Sequence, residues 1–199
     1  MVYNVDEKAS MIIDDARAKP VIETERMILR PFRPTDAKDV QTLAGHRDVA
    51  ATTYNIPHPY EDGIAETWIS THEEKFKKGE AVTLALTLKE DGRLIGTISL
   101  FEIIKGHKGE FGYWVGVPYW GKGYCTEAAK ALMEYGFNEL DLNRIHGCYF
   151  TKNPASGRVM EKLGMSYEGT QIQHTLKWGK FEDLALMGML KKDWNKTVR

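Results

Sequence analysis

In Val115-Gly-Val-Pro-Tyr-Trp-Gly-Lys-Gly-Tyr-Cys-Thr-Glu-Ala128, a strand ends at a proline, two glycines flank a lysine, and a helix begins. Glycines at such a junction let the backbone turn so that several N–H groups converge, and the helix N-terminus adds partial positive charge. The combination suits an anion, above all a pyrophosphate; an ordinary strand-to-helix connection is the plainer alternative. Two familiar phosphate loops do not fit. Gly116, Gly121 and Lys122 satisfy the first part of G-x-x-x-x-G-K-[ST], but Gly123 stands where the Mg²⁺-ligating Ser or Thr belongs. The strand before the loop is expected in a hairpin rather than a βαβ unit, which also argues against a P-loop. The G-x-G-x-x-G pattern fails because Thr126 occupies the third glycine's place.

Upstream, Val82, Leu84, Leu86 and Leu88 alternate with smaller or polar residues, which predicts a strand with one apolar face. Asp91-Gly92 turns it into a second strand over 94–104, and Gly106-His-Lys-Gly109 leads into a third over 110–117. Earlier still, 22–32 reads as a strand near an edge, and Pro34-Thr35-Asp36 opens a helix to about Gly45 with Thr35 as N-cap. Asn55-Ile-Pro-His-Pro-Tyr60 is a loop, followed by a helix over 62–78 that Gly79 stops. Downstream, the helix after the glycine loop runs to about Leu140, with Ala129, Met133, Gly136, Phe137 and Leu140 on one face. A strand over 144–150 and a helix from Asn153 to Leu163, closed by Gly164, come next. Strands near 166–173 and 184–190 finish the core around a Trp178-Gly179 turn. The expected class is α+β, with a mainly antiparallel sheet in one domain over 21–194. Residues 1–20 form an N-terminal extension in which Met11-Ile-Ile13 seeds at most a short helix, and 195–199 a tail.

The chain has 199 residues, 42% of them hydrophobic and 28% charged, which is a globular composition long enough to bury a core. Lysine and arginine total 27 against 28 aspartates and glutamates, a net charge of −1. That balance argues against a protein whose main work is gripping nucleic acid or an anionic membrane. No apolar run reaches the length of a membrane span, and the N-terminus lacks a secretory signal. Cys125 and Cys148 are too few for a disulfide framework, so reduced thiols in a cytoplasmic protein are expected.

Tyr119-Trp-Gly-Lys-Gly-Tyr-Cys-Thr-Glu-Ala128 resembles the acetyl-CoA pyrophosphate loop of the GNAT N-acetyltransferases, in particular the branch of RimJ/RimL-type ribosomal-protein N-terminal acetyltransferases. Thr24-Glu-Arg-Met-Ile-Leu-Arg-Pro31, Pro57-His-Pro-Tyr60, Glu110-Phe-Gly-Tyr-Trp-Val115, Asn143-Arg-Ile145, Asn153-Pro-Ala-Ser156, Glu161-Lys-Leu-Gly-Met165 and Asp183 follow in that branch's order. The resemblance covers roughly 21–194. It departs from the wider family pattern at Trp120, usual in this branch, and at Cys125, which is small enough for the tight helix start and is not expected to be a nucleophile.

The resemblance implies a GNAT-like fold in which the fourth and fifth core strands, here 110–117 and 144–150, splay apart. It implies acetyl-CoA as co-substrate, with the backbone N–H groups of Gly121, Lys122, Gly123, Tyr124 and Cys125, and neighbouring Thr126, around the pyrophosphate. Lys122 either adds charge or is solvated. The pantetheine arm is expected to pair with Val115 to Val117 like an added strand, and Asn153 to hydrogen-bond it. No metal is implied. Glu110 matches a carboxylate of this branch and is the candidate general base, a solvated glutamate being the plainer reading; His174, His58 and Glu102 are in reserve. Ser156 matches the family serine and is the candidate acid for the departing thiol, a helix cap being its other reading. A backbone N–H near Trp114 or Val115 is expected to hold the oxyanion. The implied reaction is direct transfer to a primary amine, either a protein N-terminus or a small amine such as an amino acid, polyamine or antibiotic. A CoA-binding module without catalysis is the rival from another class. No direct nucleic-acid or membrane partner is expected, and the resemblance allows a homodimer.

Overall fold

The period-two pattern at Val82 becomes β3 (Val82–Leu88), which pairs antiparallel with β4 (Leu94–Ile104); β4 in turn pairs with β5 (Lys108–Val115). The computed structural model describes residues 18–197; the possible helix seed at Met11-Ile-Ile13 lies outside them. β3 is buried on both faces, not one. Leu84 and Leu86 face the layer of α4 (Tyr124–Asn138), whose Ala129, Met133 and Phe137 are fully buried. Ala85 faces α1 (Ala37–Ala44) and α3 (Ile64–Lys77) in a second cluster with Val40, Ile69 and Trp114. Threonines can occupy this two-sided interior because their hydroxyls donate to carbonyls: Thr87 to Ile28 at 2.8 Å and Thr97 to Leu84 at 2.9 Å.

The sheet has eight strands in the order β1-β2-β3-β4-β5-β6-β8-β7, with β6 (Arg144–Phe150), β7 (Ser166–Lys177) and β8 (Lys180–Leu190). The expected single strand over 22–32 is instead a hairpin, β1 (Ile22–Glu23) and β2 (Met27–Arg30). Thr24 closes it by exchanging bonds with Met27 through both its amide and its hydroxyl. Thr35 is not an N-cap. Asp36 does the capping, accepting from the Arg33 N–H at 2.7 Å and from both terminal nitrogens of Arg30. Burial raises the Asp36 pKa, but these donors outweigh it and hold the carboxyl below its ordinary range. A short helix, α2 (Arg47–Ala51), went unread because five residues carry no period. α5 (Pro154–Lys162) and α6 (Lys191–Thr197) complete the described helices, and α6 takes in residues 195–197 of the segment expected as a tail.

One topological expectation is corrected. β5 sits in a hairpin with β4, yet it also runs parallel to β6, so β5–α4–β6 is a βαβ unit. Having an antiparallel neighbour on one side leaves the other side free for a parallel partner beyond the helix. That parallel pairing is short: Lys108↔Arg144, Gly109↔Ile145 and Glu110↔His146 only. β6 then pairs with β8 along its whole length, while β5 continues to Val115 paired on its β4 side alone. The sheet therefore opens in its middle.

On the buried face of α3, His72 is 8% exposed, packed edge-on to Trp68 at 4.4 Å and near Phe32 at 5.4 Å, and among the described residues neither ring nitrogen has a hydrogen-bond partner. Burial, with help from Lys19 and Lys75, lowers its pKa from 6.5 to about 4. The folded state thus keeps the ring neutral, and the stability this contributes is complete above about pH 6.5 and lost as pH falls toward 4. Urea unfolding should show roughly 3 kcal/mol more acid destabilisation in the wild type than in His72→Phe over that window; equal slopes in the two proteins would refute it.

Candidate active site

The glycine loop presents its amides. Gly121 (φ +73°) and Gly123 (φ +82°) occupy the left-handed region, and the first bond into α4 runs from the Glu127 N–H to the Gly123 carbonyl. Among the described residues, the six consecutive N–H groups from Gly121 to Thr126 donate to no protein group, and no side chain caps the helix. Six orphaned donors at the positive end of a fifteen-residue helix form a cradle for a multiply charged anion. Lys122 adds no side-chain contact to the cradle: its ammonium lies 5.8 Å from the Tyr119 ring. Burial pushes the Cys125 thiol well above its ordinary pKa, opposite to the lowering that a helix N-terminus alone gives, which disfavours the thiolate.

Beside the cradle runs the open edge of β5. The Gly116 N–H donates to Ile95 on the β4 side, and the antiparallel alternation places Trp114 and Gly112 toward β4 as well. The main-chain groups of Val115 and Tyr113 therefore face the gap left by β6. The Val115 carbonyl accepts from the Trp120 indole at 2.5 Å, leaving its N–H toward the opening. Of the two expected oxyanion donors, the Trp114 N–H faces β4 and the Val115 N–H faces the opening. The strand stops at Val115; Val117 has entered a 3-10 turn, Val117–Tyr119, whose first carbonyl accepts from the Trp120 N–H. The extendable edge is shorter than expected on that side.

Glu110 and Ser156 stand on the two lips of the gap. Glu110 lies at the last β5–β6 pair, with Cys148 Sγ 3.7 Å from Oε1 and His146 Nε2 3.8 Å from Oε2. Burial, then the Glu102 charge, raises its pKa. Neither neighbour offsets this by supplying a cation. Burial, Arg144 and Lys108 lower His146, which keeps it neutral at pH 7, and the Cys148 thiol is pushed up to about 12 by burial and by Glu110. Ser156 sits in the first turn of α5, its N–H near the Asn153 carboxamide oxygen at 3.4 Å. Asn153 thus caps the helix, while the Ser156 hydroxyl lies 2.7 Å from the Tyr113 hydroxyl, which also reaches the Ser156 carbonyl at 3.0 Å. Tyr113 was not singled out from the sequence; only its place on the strand before the loop pointed to it.

Glu110, Val115, Gly121, Gly123, Tyr124, Cys125, Thr126, Asn153 and Ser156 all border one cavity of about 1010 Å³; Lys122 and Val117 do not. Its far wall is the loop holding Tyr54, Asn55 and Ile56. Of the reserve bases, Glu102 borders it, but His58 and His174 do not. The Tyr54–Ile56 wall is braced from behind. Buried Lys177 donates to the carbonyls of Ile56 at 2.8 Å and Tyr54 at 3.4 Å, and Trp178 packs against His58 at 5.7 Å. Among the described residues there is no group of three or more His, Cys, Asp or Glu able to hold a metal, and no helix long and apolar enough to cross a membrane.

Residues 26–166 match the model of the acetyltransferase (GNAT) domain. The chain belongs to the GNAT acetyltransferase family. It is 35% identical over 183 residues to the probable N-acetyltransferase YjcK of Bacillus subtilis, covering 87% of this chain and 98% of that protein. It is 28% identical to the [ribosomal protein uS5]-alanine N-acetyltransferase of Escherichia coli, over 61% of this chain and 63% of that one. In structure it superposes on a RimL ribosomal L7/L12 α-N-protein acetyltransferase in complex with coenzyme A (TM-score 0.79, 16% identity, 86% of this chain and 98% of that one), a likeness of fold. This GNAT protein is an acetyl-CoA-dependent N-acetyltransferase, which sets aside the non-catalytic binding module. Its loop fits the co-substrate: six free amides match a diphosphate, and the unpaired β5 edge matches the amide-bearing arm.

Proposed function

We propose that this acetyltransferase moves the acetyl group of acetyl-CoA directly to a primary amine in a ternary complex, and that its favoured acceptor is a protein N-terminal α-amine. The amides of 121–126 hold the diphosphate, the β5 edge at Tyr113 and Val115 holds the pantetheine with Asn153 opposite, and the thioester comes to lie between Glu110 and Ser156. The observation that carries this reading is the gap itself: a free strand edge with a carboxylate on one lip and a hydroxyl on the other.

The chemistry needs a neutral amine, a held oxyanion and a proton for the thiolate. At pH 7 roughly one α-amine in ten is already neutral, against about one lysine in 2,500. A carboxylate with a raised pKa, working directly or through water, is therefore an adequate base for an N-terminus. The Val115 N–H meets the developing oxyanion. Tyr113 has one hydroxyl hydrogen and two acceptors on Ser156; when it donates to the Ser156 hydroxyl oxygen, the serine's own hydrogen is freed for the leaving sulfur.

One observation favours a second acceptor class. Glu80, Glu102 and Glu110 all border the cavity alongside three cations, Lys75, Arg158 and Lys162, and the three carboxylates can each pair an ammonium of a small polyamine. An acceptor panel of N-terminal peptides, amino acids, polyamines and aminoglycosides, with mass detection of product, separates the two. Acetylation of peptide α-amines is expected, with an acid limb above the ordinary carboxylate value that Glu110→Gln removes along with about 100-fold in rate. Product on polyamines alone would install the second reading, and an unchanged limb in Glu110→Gln would end the base assignment.

A further inference from the structure

Arg26 reaches the glycine loop from the turn of the β1–β2 hairpin, 96 to 101 residues away in sequence. Its main-chain N–H donates to Glu127 Oε1 at 2.8 Å, and its side-chain Nε to Oε2 at 2.7 Å. Nη1 donates to the Lys122 carbonyl at 2.9 Å, and the guanidinium lies 4.5 Å from the Tyr124 ring centroid. Two side-chain bonds and a ring fix the plane of the fork. One terminal nitrogen is left over: among the described residues Nη2 makes no hydrogen bond, and it lies 3.4 Å from where a Cβ on Gly123 would stand. The side chain is 41% exposed, so that nitrogen is reachable from outside.

Burial raises the Glu127 pKa, but hydrogen bonds from Thr24 and Arg26 outweigh it and keep the carboxylate ionised. Glu127 thereby neutralises much of the guanidinium's charge. What remains is position: a charge-assisted donor beside Gly123, in the loop that carries the free amides and just outside the residues that border the cavity.

We propose that Arg26 is a ligand of the co-substrate, donating through Nη2 to the diphosphate of CoA beside the amides of 121–126, while its other bonds hold the loop in shape. This rests on the reading that the loop takes a diphosphate. Titration calorimetry with CoA, dephospho-CoA and pantetheine tests it on the wild type, Arg26→Gln and Arg26→Lys. Arg26→Gln is expected to weaken CoA and dephospho-CoA alike by about 10- to 100-fold and to leave pantetheine unchanged. Arg26→Lys keeps a charge but loses the fork, and should fall between; it carries the same comparison if Arg26→Gln does not fold. Equal loss with pantetheine would mean that the substitution merely slackens the site. Loss with CoA alone would assign Arg26 to the 3′-phosphate, and no loss would remove it from binding; each overturns the proposal. A wild type that binds CoA no more tightly than pantetheine would overturn the diphosphate site itself, with Arg26 intact or not.

Discussion

Gly123→Val is expected to weaken CoA binding at least about 100-fold in titration calorimetry. Two effects combine. Gly123 has φ +82°, where a β-branched residue costs on the order of 1–3 kcal/mol, so valine pushes the loop toward another shape. Its side chain also enters the loop of free amides next to Arg26 Nη2, crowding the proposed diphosphate site. The two are separable. Gly123→Ala carries the backbone strain with far less bulk, and should retain more affinity than valine while sharing much of the stability loss. A valine variant that folds and binds CoA as the wild type does would remove the cradle from the mechanism.

Ser156→Ala should lower turnover by about 10- to 100-fold while leaving CoA affinity nearly unchanged. The lower part of the range for acid catalysis is expected because a thiolate is a tolerable leaving group, its thiol pKa being near 8.5. The variant keeps the Asn153 cap, since the bond there is to the Ser156 N–H and not to its hydroxyl. It also keeps one partner for Tyr113, the Ser156 carbonyl at 3.0 Å. Turnover and binding are therefore cleanly divided. Normal turnover at saturation with a large loss of affinity would make Ser156 a binding residue instead of an acid.

Much of this site was legible in the residues before any coordinates, because its working parts are local. The glycines, the proline stop and the helix start sit within one short stretch, and each is read from its immediate neighbours. The burial of β3 on both faces was not legible, since Ala85 and Thr87 look like a solvent-facing row until helices cover them. The hairpin at Thr24 hid inside a run of apolar and charged residues that also suits one strand. Arg26 and Tyr113 were passed over for a different cause. Their meaning depends on partners 96 and 43 residues away, and no spacing rule connects a turn or a strand to a loop at that distance. The parallel β5–β6 pair is of the same kind: three residue pairs leave almost no trace in a sequence, yet they decide where the sheet divides.

The bracing of the Tyr54–Ile56 wall by Lys177 gives the hairpin between β7 and β8 an indirect hold on the choice of amine. Among the described residues its tip bonds to Tyr54 and Ile56 and to neither the cradle nor Glu110 and Ser156, so it is free to vary while they stay constant. Drift in that remote corner would resize the acceptor chamber and leave the transfer apparatus alone, which offers a descendant of this chain a new clientele without a new chemistry.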